Sequence, residues 1–429
     1  MPTPPNPTTP LPPNATLGML GGGQLGQMFC QAAKRMGYRT HVFCPGDGEP
    51  ATQVCDEKTI AAYDDLDAIE RFARAVDVVT YEFENVPAAT AAACAKHCPV
   101  RPGEHVLHVA QDRIREKTFL TENDIPVGPF AQVQSLDDLR TAAQTLGVPA
   151  VLKTSGGGYD GKGQRVLHSG DEAELTYAWE DLGRQPCILE RFIDFEQEVS
   201  VVAARGVNGQ VVCYGPIANS HRNHILDVSV VPSGAPEQVN AQAISIATRI
   251  MTALDVVGVL CVEFFQTRAT LGSGNTGNNN TSQSMGQMLV NELAPRPHNS
   301  GHLTLDGYDI SQFDQQVLCV TGQPPKAPKL KGPTAMVNLL GDLWPPPPPP
   351  ESSPESSSEA GVSGKAAEPN WDAIKDNPDL FLHLYGKAQA RPGRKMGHLT
   401  ALARTPHEAI RDAVEARTKL APPVRLERD

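Results

Sequence analysis

Apolar and polar positions in the first 124 residues follow the rhythm of a covered parallel sheet. An apolar run at 15–20 enters Gly21-Gly22-Gly23-Gln24-Leu25-Gly26, a helical pattern continues to Met36, and a second apolar run follows at 40–43. A helix near 66–75 precedes a third strand-like run at 76–81. Strand, helix and strand in this order predict βαβ units. The rhythm changes from 125 to 216. A helix at 136–146 leads to a strand at 149–153 and a glycine-rich loop, and runs at 199–204 and 211–214 flank Asn208-Gly209. That pair signals a hairpin because both residues tolerate positive φ, so the region reads as a small α+β unit. A long amphipathic helix at 238–254 opens a third region, followed by apolar strands at 258–265 and 287–292, a strand-like run at 380–385 and a helix near 408–419.

Two stretches break the pattern. Residues 267–286 are Gly-, Ser- and Asn-rich and read as a long, mobile hairpin loop. Residues 345–369 hold a proline run and a Ser/Glu-rich tract, with too little apolar surface to offset the entropy of ordering. The expected organisation is a disordered tail at 1–14, an N-terminal parallel-sheet domain at 15–124, a small domain at 125–216, and a C-terminal domain at 217–429 interrupted at 267–286 and 345–369.

A length of 429 residues suits two or three domains. The net charge of −12 argues against general binding to nucleic acid or an anionic membrane, so an anionic ligand must meet a local basic pocket. No apolar run reaches the length of a membrane span, and the N-terminal stretch lacks the apolar core of a signal peptide. Nine cysteines with neither metal-type spacing nor a disulfide framework fit a reducing cytosol, so a cytoplasmic setting is expected.

Gly21, Gly23 and Gly26 match the dinucleotide fingerprint after a strand and before a helix. A nicotinamide site also wants an acidic residue closing the second strand. Here that strand ends Phe43-Cys44-Pro45, and Asp47 comes only after the proline. The plain alternative is a tight, closely packed βα turn. The preferred reading is that backbone N–H groups at the helix N-terminus bind a substrate phosphate or another polar substrate group.

The second loop follows Lys153 and runs Thr154-Ser155-Gly156-Gly157-Gly158-Tyr159-Asp160-Gly161-Lys162-Gly163-Gln164. Glycines at this density allow close backbone approach to an anion, and a lysine at the strand end can hold phosphates as a point charge. The plain alternative is a flexible surface loop with a solvated lysine. Glu190 closes one strand, Glu198 opens the next, and Glu263 and Glu292 lie on apolar strands that would pair across the 267–286 loop. A carboxylate inside an apolar strand is costly unless paired or metal-bound. Two carboxylates with substrate phosphates are the usual holders of Mg²⁺, a salt-bridged pair being the alternative.

Lys153, the glycine loop, Glu190, Glu198, Glu263 and Asn291-Glu292, in that order, resemble the ATP-grasp ligases. Three motifs narrow the resemblance to the 5-(carboxyamino)imidazole ribonucleotide synthases of purine biosynthesis. They are Gly158-Tyr159-Asp160-Gly161-Lys162-Gly163-Gln164, Asn291-Glu292-Leu293-Ala294-Pro295-Arg296-Pro297-His298-Asn299-Ser300-Gly301-His302, and Arg391-Pro392-Gly393-Arg394-Lys395-Met396-Gly397-His398. The resemblance spans 15 to 402, and the block from Asn291 is its most specific part. It implies an α/β and α+β molecule, an ATP-grasp fold behind an N-terminal Rossmann-like (pre-ATP-grasp) parallel-sheet domain.

Residue by residue, the resemblance implies that Arg113 and Lys153 contact the ATP phosphates while Gly158, Tyr159, Asp160, Gly161, Lys162, Gly163 and Gln164 close over them. Glu190, Arg191, Phe192 and Ile193 would hold the adenine through backbone groups, Glu198 would bind the ribose hydroxyls, and His221 and Asn291 would lie near the nucleotide. Glu263 and Glu292 would ligate Mg²⁺, with Mn²⁺ as an alternative. Gln24, Leu25, Glu82, Asn85, Tyr159, Asp160, Arg296, His298, Asn299 and Ser300 would line the acceptor site, and Lys387, Arg394 and Lys395 would grip a ribonucleotide 5′-phosphate. The catalytic set would be Asp160, taking the amine proton, with Arg296 and Lys153; a phosphate oxygen could take that proton instead.

The implied reaction joins ATP, bicarbonate and 5-aminoimidazole ribonucleotide through carboxyphosphate. Formate-dependent glycinamide ribonucleotide transformylase is the alternative within the fold. A homodimer is implied, with no nucleic-acid or membrane partner. Fungal and plant relatives fuse a mutase-like carboxylase domain; none follows here, so no mutase activity is expected.

Overall fold

A computed structural model describes residues 9–157, 163–268, 270–271, 283–284, 286–344 and 368–420. Gly158, Tyr159, Asp160, Gly161 and Lys162 therefore lie outside the described residues, as do most of 267–286 and 345–369.

The N-terminal sheet is parallel throughout, in the order Glu57–Ile60, Arg39–Cys44, Thr16–Leu20, Val78–Tyr81. Its strands are almost wholly buried except at the Glu57–Ile60 edge, as a sheet covered on both faces requires. The helix Gln24–Arg35 buries Phe29, Cys30, Ala32 and Ala33. These side chains join one core with Phe313, Val317 and Val320 of the helix Gln312–Val320, so the first domain is seated on the third by apolar packing. That helix starts at a capping box in which Ser311 and Asp314 satisfy each other's backbone. Part of the tail expected to be disordered at 1–14 is pinned: Leu11 packs against this core and its N–H donates to the Thr321 carbonyl at 2.8 Å.

A second, antiparallel sheet has the order Phe130–Val133, Cys187–Arg191, Ala150–Thr154, Gln164–Leu167. The helices Leu136–Leu146 and Glu172–Asp181 cover one face through Leu139, Ala142, Leu175 and Trp179. Ser135 caps the first of these helices and Gly147, at φ 77°, ends it, because glycine enters that region without strain.

The third sheet has nine strands. Its main path runs Met288–Ala294, Gly258–Thr267, Phe195–Arg205, Ile217–Arg222, Ile225–Val231, Thr334–Leu340, Lys395–Leu402, Leu380–Leu384, with Val211–Cys213 beside Phe195–Arg205. The helix Glu237–Ala253 packs on it through Val239, Ala243, Ile246, Ala247, Ile250 and Met251. That spacing makes one apolar stripe, worth about 1.5–3 kcal/mol per large side chain buried. The helix Pro406–Leu420 covers the far end through Ala409, Ala413, Ala416 and Leu420.

The sheet corrects one expectation and bears out the hairpin at Asn208-Gly209. The small domain does not extend to 216: Phe195–Arg205 and Val211–Cys213 pair within the nine-stranded sheet, so the small sheet ends with Arg191. A hairpin signal fixes which strands are joined, whereas sheet membership depends on the partner across the other edge. Of Asn208 and Gly209, only the glycine adopts positive φ, at 81°.

Candidate active site

A cleft of about 1260 Å³ lies where the three units meet. Glu263 and Glu292 are register partners on adjacent antiparallel strands, so their side chains leave the same face and both line the cleft. Arg113 donates to Glu292 at 2.9 Å, and His298 Nε2 meets Glu263 at 2.9 Å. Burial alone would raise the Glu292 pKa, but the Arg113 guanidinium holds it down to about 2. Burial likewise opposes a charge on His298, yet Cys261 and Glu263 carry its pKa up to about 10.

The register slips between Glu263 and Phe264, which leaves Asn291 as the extra residue of a β-bulge. Asn291 also lines the cleft, and its side-chain oxygen is buried with no hydrogen-bond partner among the described residues. Two carboxylates and an unpartnered amide oxygen form an all-oxygen donor set, which fits a hard cation such as Mg²⁺ completed by substrate oxygens. Among the described residues, no group of three or more His, Cys, Asp or Glu side chains forms a metal cluster.

Lys153 faces the cleft from the strand Ala150–Thr154 and meets Glu190 Oε2 at 2.5 Å. Lys117, on the helix Arg113–Glu122, meets Glu190 Oε1 at 3.2 Å. Burial pushes Glu190 up, but Lys153 and Lys117 outweigh it and hold its pKa down to about 2. Glu198 and His221 lie on neighbouring strands, paired at 2.5 Å, and both line the cleft. Burial disfavours a charge on His221, but the Glu198 hydrogen bond outweighs it and raises the pKa. Phe195 and Phe265 stack with ring centroids 4.9 Å apart and, with Phe192, form an aromatic wall. Gln164 lines the cleft, whereas the Gly163 carbonyl is taken by the Thr154 N–H at 2.9 Å.

Arg296, His298, Asn299 and Lys395 also line the cleft. The Arg296 guanidinium donates through Nε to Glu84 at 2.6 Å and through Nη2 at 3.3 Å, which fixes it across the junction between the first and third units. Asn299 exchanges amide hydrogen bonds with Asn338 at 3.1 and 2.8 Å. Ser300, expected in the acceptor site, is buried instead: its hydroxyl pairs with Ser200 at 2.7 Å, and it does not line the cleft. Glu190, Arg191, Ile193, Lys387 and Arg394 are also absent from its lining. Arg191 is tied to the Leu146 carbonyl at 2.9 Å. Lys387 donates to the Lys395 carbonyl at 2.7 Å; burial and then Arg394 lower its pKa to about 8.

The first glycine turn overturns the preferred reading of its sequence. The Glu82 carboxylate fills the helix N-terminus, accepting from the Gly23 N–H at 2.5 Å and the Gly26 N–H at 2.8 Å. An internal anion thus occupies the place proposed for a substrate phosphate. A Cβ on Gly21 would come within 2.2 Å of the Glu82 side chain, so glycine there leaves room for this plug. Gln24, Leu25, Glu82 and Asn85 still border the cleft.

Three family models match the chain in sequence. They are the ribonucleotide synthetase preATP-grasp domain over 14–111, the ATP-grasp domain over 118–313, and the phosphoribosylaminoimidazole carboxylase C-terminal domain over 334–412. The N5-carboxyaminoimidazole ribonucleotide synthase of Brucella melitensis is 39% identical over 394 residues, covering 92% of this chain and 98% of that protein. The chain belongs to the N5-carboxyaminoimidazole ribonucleotide synthase family. The bifunctional purine synthesis protein purC/E of Dictyostelium discoideum is also 39% identical over 394 residues; the match covers 91% of this chain and 37% of that longer protein. The Staphylococcus aureus N5-carboxyaminoimidazole synthetase complexed with ADP matches with a TM-score of 0.79 at 33% identity, over 95% of this chain and 98% of that one. The Aspergillus clavatus synthase in complex with ADP and 5-aminoimidazole ribonucleotide matches with a TM-score of 0.76 at 25% identity, over 94% and 99%.

Three polar residues that build this synthase-family site gave no motif signal. Glu84 fixes Arg296, Lys117 shares Glu190 with Lys153, and Glu116 accepts from the Leu293 N–H at 3.0 Å. Burial pushes Glu116 up to about 8. The available signal was spacing: Arg113, Glu116 and Lys117 fall at i, i+3 and i+4, on one helix face with the buried Leu120.

Proposed function

We propose that the chain carboxylates the exocyclic amine of 5-aminoimidazole ribonucleotide, consuming ATP and bicarbonate and releasing ADP and phosphate. One observation carries the reading. A single cleft is lined both by residues suited to a nucleotide, Arg113, Lys153, Glu198 and the Glu263/Glu292 pair, and by residues suited to a polar acceptor, Arg296, His298, Asn299 and Lys395. The Aspergillus relative, complexed with ADP and 5-aminoimidazole ribonucleotide, supports that division.

A bicarbonate oxygen attacks the γ-phosphorus, the bond to the β–γ bridging oxygen breaks, and ADP leaves. The resulting carboxyphosphate breaks its C–O bond to release CO₂ and phosphate. The amine lone pair then attacks the CO₂ carbon, and the amine proton passes to Asp160 or to a phosphate oxygen. Arg113 and Lys153 hold the phosphates and offset their charge, while Glu198, oriented by His221, takes the ribose hydroxyls. Phosphoryl transfer depends chiefly on such positioning and charge neutralisation. Glu263, Glu292 and Asn291 would hold Mg²⁺, with Mn²⁺ as the alternative, and the ion would neutralise phosphate charge. Arg296, fixed by Glu84, and Asn299, fixed by Asn338, present a rigid polar wall to the acceptor, and Lys395 with Lys387 and Arg394 draws its 5′-phosphate. A homodimer and a cytoplasmic setting complete the proposal; nine free thiols support the reducing compartment.

ADP release measured with each substrate omitted in turn tests the reading. Release should require ATP, bicarbonate and the aminoimidazole ribonucleotide together. Release indifferent to the ribonucleotide would overturn the acceptor assignment, and formate-dependent release with glycinamide ribonucleotide would decide for a transformylase.

A further inference from the structure

We propose that Lys117 is a positioning residue that keeps the buried Glu190 carboxylate paired while Lys153 leaves it for the phosphates of ATP. The inference rests on the assignment of Lys153 to the phosphates made above. Glu190 holds two ammonium groups, Lys153 on Oε2 at 2.5 Å and Lys117 on Oε1 at 3.2 Å.

The two lysines differ in what else restrains them. Lys117 is 3% exposed and donates to the Val290 carbonyl at 3.0 Å, on the strand that carries Glu292. Its helix is tied to that strand twice more, by Arg113 to Glu292 at 2.9 Å and by Glu116 to the Leu293 N–H at 3.0 Å. Lys117 is thus held by these bonds and does not line the cleft. Lys153 does line it, and Glu190 is its one salt-bridge partner among the described residues.

A buried carboxylate stripped of its cation is strongly destabilising, and that cost would oppose any movement of Lys153. With Lys117 fixed on the second oxygen, Lys153 exchanges one anionic partner for another and Glu190 is never stranded. The same lysine bonds the backbone beside the Asn291 bulge, so it couples the phosphate-binding side chain to the strand of the metal-ligand pair.

Two measurements test this. Lys117→Met removes the charge with little change in length. It should raise KM for ATP about tenfold or more while kcat and KM for the ribonucleotide change less than about threefold. In a Glu190→Gln background the same substitution should shift KM for ATP by less than about twofold, because no carboxylate remains to be stranded. An equal shift in both backgrounds, or a loss spread over kcat and both KM values, overturns the proposal.

The second measurement needs no variant: a crystal structure of the wild-type chain with a nonhydrolysable ATP analogue. Lys153 should lie on phosphate oxygens with Lys117 still hydrogen-bonded to Glu190. Lys153 on the phosphates with Lys117 detached overturns the positioning role alone. Phosphates bound away from Lys153 overturn the assignment on which it rests.

Discussion

Charge in and beside the cleft is arranged in opposed pairs, and single side chains are where its chemistry is most exposed to test. Glu292 faces Arg113, Glu263 faces His298 and Glu190 faces Lys153, so each acid lies beside a basic side chain. Glu292→Gln keeps the shape of the side chain but removes a proposed metal-binding charge. ATP-dependent ADP release should fall by about a hundredfold or more; a variant retaining near wild-type release would rule out metal ligation by Glu292. Lys387 predicts a pH effect. Its folded-state pKa is lowered to about 8 by burial and by Arg394, so it is charged below that pH and neutral above it. Its attraction for an anionic phosphate is therefore present at neutral pH and lost as pH rises through about 8. KM for the ribonucleotide should climb about tenfold per pH unit above that point, and the climb should vanish in Lys387→Arg. A flat wild-type profile across that range would remove Lys387 from phosphate binding. The motif blocks made most of these positions legible in the sequence. Glu84, Glu116 and Lys117 were not, because a polar residue on a helix or in a turn shows nothing of a partner far along the chain.

Elements were legible where the signal is local. The helix Leu136–Leu146 shows its apolar period, its serine cap and its terminating glycine between Ser135 and Gly147. Three of the four parallel strands of the first domain were likewise visible as apolar runs beside helical patterns, whereas the exposed edge strand Glu57–Ile60 was not. Pairing between distant segments was not. The strand Phe195–Arg205 has its longest partner in Gly258–Thr267, and nothing within either run declares it. The glycine turn at Gly21 misled for a related reason. Its strand–turn–helix context is real, yet the fate of the helix mouth is decided by Glu82, on a segment arriving after three more strands. Removing that acid leaves two part-buried N–H groups without an acceptor. Glu82→Ala should therefore destabilise the fold by about 2–4 kcal/mol, read as a lower urea midpoint at unchanged m-value. Gly26→Ala is expected to do comparable damage, since the added Cβ would lie 2.9 Å from the Gly21 carbonyl oxygen and 3.1 Å from the Ala51 methyl. Unchanged midpoints in both variants would show that the turn tolerates loss of its plug.

Across the whole molecule, the first domain is fastened to the third by an apolar seam and by ion pairs that include Arg35 to Asp314, Arg113 to Glu292 and Glu84 to Arg296. Glu84→Ala would leave a largely buried guanidinium without its carboxylate and should cost about 2–4 kcal/mol by equilibrium unfolding, together with a raised KM for the acceptor. Loss of stability with an unaltered acceptor KM would make the pair a fastener only. Binding that spans the units should also consolidate them: ADP at one hundred times its dissociation constant is expected to add about 2.7 kcal/mol to unfolding. The nine-stranded sheet has a further consequence. Glu263 and Lys395 stand on strands five places apart in it, roughly 24 Å along its surface at about 4.8 Å per strand. The sheet is thus a ruler whose divisions are backbone hydrogen bonds, and the reach from the proposed triphosphate site to the proposed ribonucleotide-phosphate site is marked on it in whole strands. Side-chain replacement can change what is gripped at either mark. Changing the distance between them requires inserting or deleting a strand, so acceptors of other lengths lie beyond the reach of point mutation.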